Sequence, residues 1–237
     1  MKFEAILFDC DGVLVDSEPI THGVLRQQLA ESGWDMPLAE CMRHFMGRTV
    51  RSQAALIEAR TGRPLTDAWM ARFYARRDAQ LRQQLQPIDG APDAVRAAHA
   101  LTGGRIACAS GADRGKLVLQ LAHTGLAPWF GRHVFSGHEL PRSKPYPDVY
   151  LAAAAALAVP PARCLVIEDT PTGIQAGVAA GATVWALCPQ PEAAPALREA
   201  GAHALFGAMA ELPRLWRAGQ APIWPYSAFG CLEYRSG

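Results

Sequence analysis

Two aspartates two residues apart, Asp9 and Asp11, are followed at once by Gly12 and end an apolar run near the N-terminus. Carboxylates that end a strand can simply cap a helix or solvate a loop. A chemical reading explains more. With glycine next, a tight backbone turn lets both side chains face one cavity. One carboxylate can then attack as a nucleophile. The other, its pKa raised by its charged neighbour, can serve as acid and then as base.

Such a pair needs a rigid element behind it, and Phe3–Phe8 supplies a short, nearly continuous apolar run. Ile106–Ala109, Cys164–Ile167 and Val184–Leu187 repeat the pattern, each ending at small, polar or turn residues. Continuous runs of this length suit strands buried on both faces of a parallel sheet. Helical stretches lie at Ala91–Leu101, Asp113–Thr124, Asp148–Leu157 and Thr172–Ala180. The alternation predicts an α/β doubly wound parallel sheet with right-handed crossovers. Ligands of such sheets sit beyond the carboxyl ends of the strands, where this chain places its polar residues.

The alternation is interrupted from Ser17 to Gln86, where helical periodicity replaces strand runs. Gly33, Gly47 and Gly62-Arg63-Pro64 divide that stretch into about four helices. Met70, Tyr74, Leu81 and Leu85 share one helical face, and the Trp69, Met70, Phe73, Tyr74 cluster reads as bundle core.

Four motifs arrive in order along the chain: Asp9-Cys10-Asp11-Gly12-Val13, Ala109-Ser110-Gly111, Lys144-Pro145-Tyr146-Pro147, and Glu168-Asp169. Together they resemble the haloacid dehalogenase superfamily, over about Lys2 to Leu215. The resemblance implies a Rossmann-like catalytic core at residues 1–16 and 87–215 with an inserted helical cap at 17–86. It also implies Asp9 as nucleophile and Asp11 as acid and base, with an aspartyl-phosphate between two steps. Ser110, Gly111, Lys144 and the backbone amides of Cys10 and Asp11 would cradle the phosphoryl oxygens.

A phosphate dianion beside Asp9, Glu168 and Asp169 would gather about five negative charges against Lys144 alone, each contact at ~4 Å costing about 4 kcal/mol at an effective dielectric of ~20. A divalent cation is therefore expected, and an all-oxygen ligand set favours Mg²⁺. By the resemblance its ligands are the Asp9 carboxylate, the Asp11 backbone carbonyl and Asp169, with Glu168 either a further ligand or one step removed.

Within the superfamily, Asp11 speaks for phosphoryl transfer over dehalogenation. The absence of lysine from residues 17–86 counts against phosphonate-cleaving members and against a β-phosphoglucomutase-like mutase. A phosphatase for a sugar phosphate, 6-phosphogluconate or phosphoglycolate is the expected activity, with the mutase and a catalytically idle binding member as alternatives. Met46-Gly47-Arg48-Thr49 resembles the cap loop that reads the leaving group. Gly47, Arg48, Arg51 and His22 are candidate substrate contacts.

Composition narrows the partners. A formal charge of +1 leaves no footprint for nucleic acid or a membrane surface, and no apolar run reaches the ~20 residues of a bilayer span. The N-terminus does not read as a signal peptide, and six scattered cysteines read as reduced, structural thiols, so a cytoplasmic monomer is expected. From Trp216 to Gly237 the chain lies beyond the resemblance. Trp224, Tyr226, Phe229 and Tyr234 make it aromatic, while Pro222 and Pro225 argue against helix. Packing on the core, joining an interface and disorder all stay open for it.

Overall fold

The structure, a computed structural model, describes residues 3–46 and 48–222. Six parallel strands form one sheet: β1 (Ala5–Phe8), β2 (Ile106–Ser110), β3 (Val134–Ser136), β4 (Cys164–Glu168), β5 (Thr183–Leu187) and β6 (Ala204–Phe206). Their order is β3-β2-β1-β4-β5-β6, so the chain winds one way from β1 and then crosses back to β4 on its other side. That reversal places the end of β1 at the topological switch point, where parallel sheets open a crevice.

Helices α1 (Glu18–Glu31), α2 (Leu38–Phe45), α3 (Ala54–Thr61) and α4 (Asp67–Gln84) separate β1 from β2. The remaining helices are α5 (Ala91–Thr102), α6 (Arg114–His123), α7 (Ala127–Phe130), α8 (Asp148–Ala156), α9 (Pro171–Ala179), α10 (Ala194–Glu199) and α11 (Leu212–Ala218). Among the described residues, no helix is long and apolar enough to cross a membrane.

Alternation along β1 assigns its side chains to two layers. Ile6 and Phe8 join Cys108, Ile167, Leu117 and Phe130 on one face. Ala5 and Leu7 join Val166, Val149, Ile174 and Val184 on the other. Helices α1 to α4 have a cluster of their own, built with the loops between them from Leu25, Leu29, Trp34, Phe45, Ile57, Met70 and Phe73.

Three local readings change. The edge strands β3 and β6 have three residues each, too short to show a period. The shared face of α4 divides: Met70 lies in the helical cluster, whereas Leu81 and Leu85 lie in the sheet's core. Trp216 does not begin a tail. It sits in α11 and is buried in the core, because it falls on the same helical face as Leu212 and Leu215. The aromatic residues Trp224, Tyr226, Phe229 and Tyr234 lie outside the described residues.

Candidate active site

Strand ends build the site. Asp9, the residue after β1, is 6% exposed, and its amide donates to the Ile167 carbonyl at 2.9 Å. Lys144, from the loop before α8, places Nζ 2.5 Å from Asp9 Oδ1 and 2.6 Å from Glu168 Oε1. Glu168, the last residue of β4, is fully buried. Its Oε1 also accepts from Tyr150 Oη at 2.7 Å, and its Oε2 accepts from the amides of Asp169 and Thr170 and from Thr170 Oγ1 at 3.0–3.2 Å. Gly173 allows this: a Cβ there would stand 1.7 Å from Glu168 Oε1.

Charge decides what the carboxylates can do. Burial pushes the Asp9 carboxyl up to about 7; Glu168 and Asp11 push the same way and Lys144 opposes. Glu168 is driven up by burial too, but Lys144 and its other donors hold it below the ordinary value. Asp169 has no such partners. Burial, then Glu168 and Asp9, raise it well above the usual range, and its Oδ1 is buried without a hydrogen bond.

That orphaned oxygen fits a cation. Asp9, Glu168 and Asp169 each offer an oxygen within 4.8 Å of the others. Both Glu168 oxygens are already committed to donors, so Asp9 and Asp169 carry the oxygens with spare capacity. Gly12, with φ +81°, keeps the place open; a Cβ there would lie 2.1 Å from Asp169 Oδ2.

Asp11 faces the other way. Its Oδ1 receives Gln120 Nε2 at 2.7 Å, the Ser17 hydroxyl, and the Lys116 ammonium at 2.8 Å. The neighbouring Asp9 was expected to raise its pKa. Burial does push it up, but Lys116, Ser17 and Gln120 outweigh that and hold it below the ordinary value. The two aspartates thus answer to different lysines.

A cavity of about 530 Å³ opens over these groups. Asp9, Asp11, Ser110, Gly111, Lys144 and Asp169 line it from the sheet side. Ser110 Oγ accepts from the Ala112 amide at 3.1 Å, which fixes the turn after β2. Cys10 is buried, with Sγ 3.5 Å from Gln120 Oε1, so only its backbone is available to a ligand. His22, Phe45, Arg48, Tyr74 and Arg77 line the cavity from the helices above. His22 Nδ1 lies 2.9 Å from the Glu18 carbonyl oxygen and 3.1 Å from its carboxylate. Burial disfavours the charged imidazole, but Glu18 outweighs it and raises the His22 pKa. Gly47 lies outside the described residues. Arg51 does not reach the cavity: its guanidinium is drawn to Asp67, 2.7 Å away at the exposed start of α4.

Residues 3–181 match the haloacid dehalogenase-like hydrolases. The chain belongs to that family. A 6-phosphogluconate phosphatase of Escherichia coli (strain K12) is 28% identical over 218 residues, spanning 92% of this hydrolase and 96% of the relative. A fructose-1-phosphate phosphatase of the same organism is 30% identical over 183 residues, 76% of this chain and 94% of the other. A solved hydrolase of the family from Deinococcus radiodurans R1, with bound phosphate and sodium, superposes with a TM-score of 0.74 at 35% identity. That match covers 94% of this hydrolase and 99% of the other chain.

Sequence reasoning passed over Lys116, Gln120, Tyr150 and Arg77. One signal existed for the first two. Lys116 is one of only three lysines, and Gln120 follows it by four residues on the same helical face.

Proposed function

We propose that this hydrolase is a Mg²⁺-dependent phosphatase for a small phosphorylated metabolite of the sugar-phosphate or 6-phosphogluconate class. One observation carries the reading. Asp9 and Asp11 open on the same cavity while separate lysines hold them, Lys144 on Asp9 and Lys116 on Asp11. A nucleophile and an acid–base group act on different atoms of the substrate, and each of these carboxylates has its own cation to hold it in place for that.

In the first step an Asp9 carboxylate oxygen bonds to phosphorus and the bond to the leaving oxygen breaks. The leaving oxygen takes a proton from Asp11. In the second step a water oxygen bonds to phosphorus, its proton passes to Asp11, and the bond from phosphorus to Asp9 breaks. Inorganic phosphate and the free aspartate remain. Lys144 and Ser110 hold the phosphoryl oxygens, and Glu168 keeps the Lys144 ammonium aimed at them. Mg²⁺ held by Asp9, Asp169 and the Asp11 carbonyl would offset the charge on the transferring group.

Residues 17–86 would serve as the cap, closing over the leaving group and excluding water. The cavity volume has room for a sugar-sized leaving group, and the relatives' substrates agree in kind. The test is hydrolysis of p-nitrophenyl phosphate with and without added Mg²⁺. The wild-type protein should require the cation, and Asp9→Asn should fold normally yet lose turnover. Retention of a tenth of the wild-type kcat would overturn covalent catalysis at Asp9.

A further inference from the structure

We propose that Lys116 and Gln120 of α6 are positioning residues for Asp11, fixing its carboxyl so that Oδ2 alone handles the proton. The inference rests on the reading of Asp11 as acid and base. Among the described residues, both hydrogen bonds to the Asp11 side chain end on Oδ1, from Gln120 Nε2 at 2.7 Å and from Ser17 Oγ, and the closest approach of Lys116 Nζ, 2.8 Å, is to the same oxygen. No hydrogen bond ends on Oδ2.

The donors come from rigid places. Lys116 and Gln120 are buried one turn apart on α6, and Asp113 caps that helix by accepting from the Lys116 amide at 2.9 Å. Ser17 is fully buried just before α1. A carboxyl gripped at one oxygen from two directions loses its freedom to rotate about its last bond. Proton transfer needs that loss, because a misaligned acid wastes the proximity it was placed to supply.

The atoms balance without Lys116 giving up a proton. Asp11, a carboxylate in the resting site, takes a proton from solvent onto Oδ2 as the negative phosphate enters beside it. Oδ2–H then passes that proton to the bridging oxygen as the bond from phosphorus to that oxygen breaks and the electron pair stays on it. Asp11 is then a carboxylate, its charge met by Lys116 and its Oδ1 by Gln120 and Ser17. In the second half Oδ2 takes a proton from the attacking water while the bond from phosphorus to Asp9 breaks. Lys116 stays an ammonium throughout, and Gln120 transfers nothing.

A lysine that served only the fold would affect all substrates alike when changed. One that serves the acid matters more as the leaving group becomes more basic. The experiment compares p-nitrophenyl phosphate with phenyl phosphate, whose leaving group needs the proton more, in Asp11→Asn, Lys116→Met and Gln120→Leu. Each variant should lose at least about tenfold more kcat/KM on phenyl phosphate, a part of the ~10²–10⁴-fold that a general acid supplies. Lys116→Met in the Asp11→Asn background should add no further selectivity, since both changes act through one group.

Selective loss in Asp11→Asn with uniform loss in the other two would overturn positioning and leave the role of Asp11 intact. Uniform loss in Asp11→Asn itself would remove the acid–base reading beneath it. Circular dichroism checks folding. Should Lys116→Met fail to fold with Asp11 buried beside no cation, the uncharged, similarly sized Gln120→Leu decides.

Discussion

Asp169 shows at the residue scale how a buried carboxyl can be left open to a cation. Its carboxyl is buried, crowded by Glu168 and Asp9, and left with one oxygen unpartnered. The pKa raised by burial and by those neighbours fixes the sign of its effect on the metal-free fold. The native state holds the proton longer than the unfolded chain. The group's favourable contribution is therefore full below the ordinary carboxylate range and is lost as pH rises through the raised value. Asp169→Asn should raise the neutral-pH Tm of the metal-free protein and flatten its decline above pH ~4, followed by calorimetry. Mg²⁺ at a hundred times its Kd should stabilise the wild type by about 2.7 kcal/mol, or about 5–10 °C in a chain of this size. The Asn variant should show almost none of that shift. A variant that kept the full shift would place the cation elsewhere.

At the element scale, a buried arginine of α4 reaches the start of α6. Arg77 Nη1 donates to Asp113 Oδ2 at 2.9 Å, while its Nε donates to Asp78 at 2.9 Å. Its guanidinium also stands 4.8 Å from the centre of the Tyr74 ring. Although Arg77 lines the cavity, its fork is already occupied by two carboxylates, so it ties helices together, whereas among the described residues no carboxylate pairs with Arg48. Arg77→Met should cost about 1–3 kcal/mol, between the values for exposed and fully buried pairs. The pH profile adds a second check. Burial pushes the Asp113 carboxyl up, but Arg77 and the Lys116 amide outweigh it and leave it lowered. Its stabilisation is complete above the ordinary carboxylate pKa of ~3.9 and is lost as pH falls through the folded value. Acid unfolding below pH ~4 should therefore depend less on pH in Arg77→Met than in the wild type.

On the scale of the whole molecule, two layers built around separate apolar clusters enclose the cavity. The strand ends and the loops beside them supply Asp9, Asp11, Ser110, Lys144 and Asp169, and residues 17–86 supply His22 and Arg48. On the proposed reading, chemistry and selectivity are carried by different clusters. Arg48→Ala should leave p-nitrophenyl phosphate nearly unaffected. A substrate with a carboxylate on its leaving group, such as 6-phosphogluconate, should lose ~1.5–3 kcal/mol of transition-state binding. That is ~10- to 150-fold in kcat/KM. Equal losses on both substrates would place Arg48 at the phosphoryl group, and no loss on either would return it to the solvent-facing surface.

The order of elements and the acidic strand ends were legible in the sequence, because both follow from neighbours in the chain. A continuous apolar run such as Ala5–Phe8 or Cys164–Ile167 states its own burial, and the polar residue that follows it must come at the end of the strand. The three-residue edge strands β3 and β6 were not legible, being shorter than any period they could display. Nor was the electrostatic character of each carboxyl. From spacing alone, Asp9 appeared as the neighbour that would raise the pKa of Asp11. Folding brought Lys116 and Gln120, more than a hundred residues along the chain, onto Asp11, and Lys144 onto Asp9 and Glu168. The outcome reversed: Asp11 is held low and Asp9 is raised. A motif fixes which groups are present, but a buried charge is set by whatever lies within a few ångströms, and only the tertiary structure decides that.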